Sequence, residues 1–438
     1  MNSWQHPPKL PNPPIGRRQF LGTGARLGAG FVGLAATGLA ACDTGSGDAD
    51  VFSPSSSSGD SVATTAAPST SGLPALSGRK LVIVQLNGGN DALNTVVPTA
   101  GAYRDLRPSL AVPEADVLLL AGVSDVGLHP SLPGLGDRFA DGGLAVLRGI
   151  GFEQPNRSHF VSMDRWWRAD NLSAPGWLGR VLDELPEQAP LFATALGAGA
   201  PLLNGARSTP AVVTSAASFR WAGIDPEVLL DLAGAGSGEG AGGDLAARLR
   251  SSYRRAVDAV DDFAVVTGGA PATDDLPQRE GAATIAEGLA IAAELLASDV
   301  GTELMVVSAS GFDTHSGQTA IHQRLLADLD DGITAFMAAM EAAGLQDDVL
   351  LVTTSEFGRR AAENASGGCD HGAAGVSFVV GSSVRGGMYG EWNPADLLDG
   401  DMRPNIDPYA LYTTCLDWIG ADAEAVLGRR DDSLRLLT

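Results

Sequence analysis

The stretch that decides the fold runs from Val349 to Gly372 and reads VLLVTTSEFGRRAAENASGGCDHG. Its first four residues are apolar and favour β-structure, which is typical of a buried strand in a parallel sheet. The pattern turns polar where such a strand would end, and the polar side chains that follow are Ser355, Glu356, Arg359, Asp370 and His371. In open α/β sheets, ligands bind beyond the carboxyl ends of the strands, so this stretch predicts a site as well as a strand.

Two earlier strands follow the same pattern. The strand predicted at Leu304 to Val307 leads into Asp313 and His315. If it neighbours the strand at 349–352, the two strands deliver two carboxylates and two imidazoles to one edge of the sheet. The first strand, 81–86, ends in a glycine turn that carries Asp91, although aspartate is also a common turn residue that bonds its own backbone.

Apolar stripes at helical spacing alternate with these strands. They predict long helices near 245–263, 285–296, 321–340 and 408–419. Strands that alternate with helices predict an α/β fold.

A further loop, Pro155 to Phe160, precedes a predicted helix with an aromatic face. Ser158 would lie at the amino terminus of that helix, where backbone N–H groups and the helix dipole favour an anion. The alternative is a serine that only caps the helix.

The amino terminus predicts export. Arg17 and Arg18 begin a twin-arginine signal, and residues 39–42 resemble a lipobox that ends in Cys42, the expected lipidation site. The alternative is ordinary cleavage with an incidental cysteine. Residues 1–42 are therefore predicted to be a signal, 43–78 a flexible Ser/Thr/Pro/Gly-rich tether, and 79–438 the folded domain. The expected location is the cell envelope, reached through the twin-arginine translocase, with membrane contact only through the lipid anchor.

Net charge and cysteine content bear on the partners and the disulfide bonds to be expected. The formal net charge of −23 argues against nucleic acid as a partner, because phosphates would be repelled. Besides Cys42, the chain has only Cys369 and Cys415, which could pair in an oxidising compartment, but nothing in the sequence shows that they meet.

The polar residues at the strand ends predict metal chemistry. Carboxylate and imidazole together are ligands expected for zinc or manganese. Two such ions can hold the attacking and leaving oxygens of a displacement, and a metal can ionise a hydroxyl nucleophile, for which the sequence offers Ser158.

Five segments resemble a known family: LVIVQLNGGNDALNTVVP, PNRSHF, GFDTH, TTSEFGRR and CDHG. They are similar to the motifs of a large bacterial family of twin-arginine-exported proteins that carries a domain-of-unknown-function label. That family is placed in the alkaline phosphatase, sulfatase and phosphoglycerate mutase superfamily. The resemblance covers about Lys80 to Leu427 and implies an alkaline phosphatase-like fold, with a mostly parallel central sheet and helices on both faces.

The resemblance also implies residue roles. The positions that match metal ligands, for one or two ions, are Asp91, Asp313, His315, Glu356 and His371. Ser158 matches the nucleophile, and Arg157 or Arg359 could meet the oxyanion of a bound ester. The chain departs from the superfamily pattern in the short Asp313-x-His315 spacing, in Ser355-Glu356 where Asp-His is usual, and in Cys369.

The sequence thus predicts a metal-dependent hydrolase of phosphate or sulfate esters, acting on a small-molecule or glycan ester. The alternative is a non-catalytic surface lipoprotein that uses a degenerate metal site for binding. A cofactor-using oxidoreductase is disfavoured because no strand-linked dinucleotide fingerprint is present. In either of the first two cases, the predicted site residues should line a single pocket.

Overall fold

The computed structural model describes residues 76–99, 101–197, 201–213, 241–268 and 284–438. The predicted signal, Cys42 and the tether up to residue 75 lie outside the described residues. No helix within the described ranges is long and apolar enough to cross a membrane.

Thirteen strands lie within the described residues. They are β1 (Lys80–Asn87), β2 (Val96–Pro98), β3 (Leu118–Leu119), β4 (Val126–Leu128), β5 (Leu144–Ile150), β6 (Ala193–Leu196), β7 (Ala211–Val213), β8 (Leu304–Ser310), β9 (Val349–Thr354), β10 (Gly375–Val380), β11 (Gly387–Tyr389), β12 (Leu397–Leu398) and β13 (Asp401–Met402).

The α-helices of the same ranges are α1 (Ala92–Thr95), α2 (Tyr103–Leu106), α3 (Pro133–Ala140), α4 (His159–Arg168), α5 (Trp177–Glu184), α6 (Ala241–Val266), α7 (Ile285–Ala297), α8 (Gln318–Ala342), α9 (Pro408–Ile419) and α10 (Ala423–Leu427). The four predicted long helices correspond to α6, α7, α8 and α9.

Eight of the thirteen described strands form the central sheet in the order β11-β5-β10-β9-β1-β8-β6-β7. Strand β1 is parallel to both β8 and β9, and among these eight strands only β10 is antiparallel to its neighbours. The strands at 304–307 and 349–352 are therefore not adjacent, since β1 lies between them. Their carboxyl ends still meet at one edge, because all three strands point the same way.

Both faces of the sheet are covered by helices. Leu81 and Ile83 pack into a cluster with α5 and α9, whereas Val82 and Val84 pack on the opposite side with α7 and α8. Alternate residues of a strand point to opposite faces, so a strand covered on both sides reads as continuously apolar. The predicted α/β fold with a mostly parallel sheet and helices on both faces is confirmed.

Two features were not determined by the sequence. The small sheet β2-β4-β3 was not fully predicted, because strands of two or three residues carry too short a pattern. Cys369 and Cys415 are both buried and unpaired, so the disulfide considered for them does not form in this structure.

Candidate functional site

Three loops at one edge of the sheet bring the candidate site together. The loop after β8 carries Asp313, and the loop that joins β9 to β10 carries both Glu356 and His371. Because β10 is antiparallel to β9, its amino end lies at the edge where β9 ends. The third loop follows β5 and leads into α4, which begins at His159.

Glycines allow these loops to approach closely. Gly88 has φ +121°, and a Cβ there would stand 2.3 Å from the backbone nitrogen of Asp313. A Cβ on Gly368 would stand 2.3 Å from the carbonyl oxygen of Thr314. Larger residues at either position would push the loops apart.

Three imidazoles converge on one carboxylate. The Nε2 atoms of His159, His315 and His371 lie 3.5, 3.1 and 3.3 Å from Oδ1 of Asp313. The Nε2 atom of His371 is also 3.0 Å from that of His159 and 2.8 Å from that of His315. One atom each from His159, Asp313 and His371 forms a set that fits within 4.8 Å, as ligands around a metal ion do.

The opposite nitrogen of each ring contacts a group that can only accept a hydrogen bond. These Nδ1 contacts are His159 to Glu356 Oε1 (2.7 Å), His371 to the Arg157 carbonyl (2.7 Å) and His315 to Asp370 Oδ1 (3.2 Å). The proton of each neutral ring therefore belongs on Nδ1, which leaves the Nε2 lone pairs facing one another. Lone pairs this close require a cation between them or a shared proton.

Arg359 is buried beside this cluster. It donates to Oδ1 of Asp313 at 2.6 Å and to the carbonyl oxygens of Gly88, Gly89, Phe312 and Cys369, and its Nη1 also lies 3.5 Å from His315 Nε2. Burial alone would raise the pKa of Asp313, but Arg359 and the nearby histidines lower it overall. The predicted contact of Arg359 with a substrate oxyanion does not agree with its full burial. Instead, Arg359 fixes the loops and holds Asp313.

Glu356 lies behind His159 rather than among the converging atoms. Its Oε1 accepts from the backbone N–H of Gly88 at 2.8 Å and from His159 Nδ1. This hydrogen bond raises the pKa of His159 above its ordinary value. A carboxylate that bonds the far nitrogen of a histidine orients the ring and increases its basicity, so the structure places Glu356 behind His159, whereas the sequence predicted it as a direct ligand.

Asp91 is separated from the cluster by its own partner. Its Oδ2 bonds Arg107 Nη1 at 2.6 Å and the Gln318 amide, and both members of the ion pair have fully buried side chains. Burial alone would raise the pKa of Asp91, but the charge of Arg107 lowers it, so the carboxylate stays ionised. The predicted metal ligation by Asp91 does not agree with these contacts.

Ser158 and Arg157 lie at the solvent side. Ser158 is the N-cap residue of α4, is exposed, and makes no side-chain capping bond. Arg157 pairs with Asp401, its only side-chain partner within the described ranges, and its side chain is 41% exposed. Both side chains are therefore accessible to solvent.

The structure thus brings Asp313, His315 and His371 into direct contact, and adds His159, which the sequence reasoning missed. His159 stands next to Ser158 in the quoted segment PNRSHF. A usable signal was present, because imidazole is a common metal ligand and this loop was already expected at the site.

The fold and the cluster define an α/β protein with histidines and carboxylates gathered at the carboxyl edge of a mostly parallel sheet. Residues 238–438 match the model of the family described as "Protein of unknown function (DUF1501)". This match agrees with the family resemblance of the motifs, over the part of the chain that it covers. No curated protein matches the sequence.

Solved structures similar to this chain include the following three. A protein in the alkaline phosphatase superfamily from Vibrio parahaemolyticus is 9% identical, with a TM-score of 0.36 and coverage of 82% of this chain and 70% of its own. A phosphonate monoester hydrolase from Silicibacter pomeroyi is 12% identical, with a TM-score of 0.36 and coverages of 82% and 78%. A sulfatase from Pseudoalteromonas sp. is 11% identical, with a TM-score of 0.36 and coverages of 79% and 68%.

Proposed function

We propose that this protein is a metal-dependent hydrolase of phosphate or sulfate esters. The observation that carries the proposal is the convergence of three Nε2 atoms on Oδ1 of Asp313, with each Nδ1 already bonded to an acceptor. This donor set fits zinc or manganese, which bind imidazole and carboxylate together. A divalent cation held there would act as a Lewis acid on an oxygen of the ester.

The protein's own groups would supply orientation and charge. His159, His315 and His371 are locked in one tautomer by Glu356, Asp370 and the Arg157 carbonyl, so their Nε2 atoms are preorganised.

Arg157 and Ser158 would act on the ester itself. Asp401 fixes the Arg157 guanidinium on one side, which leaves N–H groups to bind an ester oxygen. Ser158, at the uncapped amino end of α4, is the candidate nucleophile, because the free N–H groups there would favour the anionic group that it attacks.

The test is a combined metal and activity measurement on the purified protein. We expect zinc or manganese to restore turnover of a phosphomonoester, a phosphodiester or a sulfate ester after chelation, and His371→Ala to abolish it. Ser158→Ala should remove turnover without removing the metal, whereas the exposed Ser173→Ala is the matched control. Absence of metal binding in the wild-type protein would refute the proposal.

Tight ligand binding without turnover in any ester would instead favour a binding lipoprotein with the same cluster. The fully buried Asp91–Arg107 ion pair supports the binding-lipoprotein alternative, because it removes one carboxylate from the predicted ligand set.

We also propose that the protein is exported by the twin-arginine translocase and held at the envelope by a lipid on Cys42. Support comes from Arg17, Arg18 and the lipobox-like residues 39–42. Mass spectrometry of protein extracted from membranes should find acyl groups on Cys42, and an unmodified Cys42 would remove the anchor.

A further inference from the structure

The environment of Asp91 bears on how many metal ions the protein holds. The sequence predicts one or two ions, and the second would need ligands beyond the histidine cluster. Of the residues predicted as ligands, Asp91 and Glu356 lie outside the cluster, and Ser355 directly precedes Glu356. Each of them is already bonded to another group of the protein.

Both carboxylate oxygens of Asp91 are already hydrogen-bonded within the protein. Its Oδ1 accepts from the backbone N–H of Asn94 at 3.3 Å, and its Oδ2 accepts from Arg107 and Gln318. The residue is 0% exposed. By contrast, the Asp313 side chain is 48% exposed, so it can meet an ion from solvent while it bonds Arg359.

Arg107 is fixed by more than this one ion pair. Its Nε donates to the Ala361 carbonyl and its Nη2 to the Arg360 carbonyl, both at 2.9 Å, and its Nη1 also donates to Asn94 Oδ1 at 2.6 Å. Its side chain is 0% exposed. A guanidinium held this firmly keeps its charge beside Asp91 at every pH at which the protein is folded.

Ser355 and Glu356 are likewise engaged. The Ser355 hydroxyl donates to the Leu86 carbonyl at 2.8 Å and accepts from the backbone N–H of Asn90 at 2.9 Å. Glu356 holds His159 and the Gly88 N–H. An added divalent ion would have to break these bonds and would face repulsion from Arg107 at close range.

We infer that this chain binds one divalent cation, at the histidine cluster, and that the Arg107 guanidinium provides the positive charge beside Asp91 that a second ion would otherwise supply. The inference rests on the proposed function for the first ion. Asp91 and Arg107 then form a structural ion pair that bonds the 360–361 backbone and takes no part in holding the cation.

The experiment counts ions. Chelated protein is refilled with zinc or, separately, manganese, freed of excess metal by gel filtration, and analysed for metal per chain. We expect one ion per chain in the wild-type protein and none in His371→Ala. The double variant Asp91→Asn/Arg107→Gln removes both charges of the buried pair together, and it should still bind one ion with an affinity within about threefold of wild type.

Two ions per chain in the wild-type protein would overturn the inference, and so would loss of the ion from a folded double variant. The wild-type count stands by itself if the double variant does not fold. Two ions with ester turnover would overturn the inference and leave the proposed function intact. One ion per chain without ester turnover would leave the inference intact and overturn the proposed function. No bound ion at all would overturn both the inference and the proposed function.

Discussion

Replacing Glu356 by glutamine tests whether this residue acts through His159. The amide keeps the size of the side chain and a carbonyl oxygen that can accept from the Gly88 N–H. It removes the negative charge of Glu356, whose Oε1 lies 2.7 Å from His159 Nδ1 in the wild-type structure. Removing a partner that orients a metal-binding histidine weakens metal affinity about 10- to 100-fold, which is about 1.4–2.7 kcal/mol. We therefore expect zinc to bind Glu356→Gln more weakly by this factor, with little change in thermal unfolding of the metal-free protein.

The assay is competition for zinc against a chromophoric chelator, with Glu287→Gln as the matched control. Glu287 makes an equivalent side-chain bond in the capping box of α7, and its loss of charge should leave zinc affinity unchanged. In a His159→Ala background, Glu356→Gln should have almost no further effect, because the two residues act as one unit. An unchanged affinity in Glu356→Gln, or full additivity with His159→Ala, would refute the reasoning.

Three other predictions follow from the same contacts. Asp330 accepts hydrogen bonds from the first backbone N–H groups of α3 at 2.8–2.9 Å. In urea denaturation, Asp330→Ala should therefore lower the free energy of unfolding by about 1–3 kcal/mol. The control variant Asp331→Ala, at an exposed position, should change it by less than about 0.5 kcal/mol. Burial raises the pKa of Cys369 to about 12 and also raises that of Cys415, so neither thiol should react with a disulfide reagent in the folded protein and both should react in denaturant; fast labelling of native protein would contradict this. Zinc at about 100 times its dissociation constant should stabilise the wild-type protein by about 2.7 kcal/mol in thermal unfolding and should not stabilise His371→Ala; an equal shift in both would place the ion elsewhere.

Local patterns were enough to predict most of the elements. Continuous apolar runs marked β1, β8 and β9, because buried parallel strands are covered on both faces, and apolar stripes marked the long helices. The abrupt change to polar residues after each strand also marked the loops that carry Asp313, His315 and His371. The aspartates on α8 carried less information, because they lie on other faces than its apolar stripe, yet Asp330 is buried and caps another helix.

The sequence by itself thus determined the α/β fold, the family motifs and the edge of the sheet at which the polar residues gather, since these depend on short-range pattern and strand direction. Only the tertiary structure decided that β1 separates β8 from β9, that His159 joins the cluster, and that Arg107 neutralises Asp91. The physical reason is that partners far apart in the chain are chosen by packing and charge pairing in three dimensions. An aspartate in a loop has the same local sequence whether it meets a metal ion or an arginine.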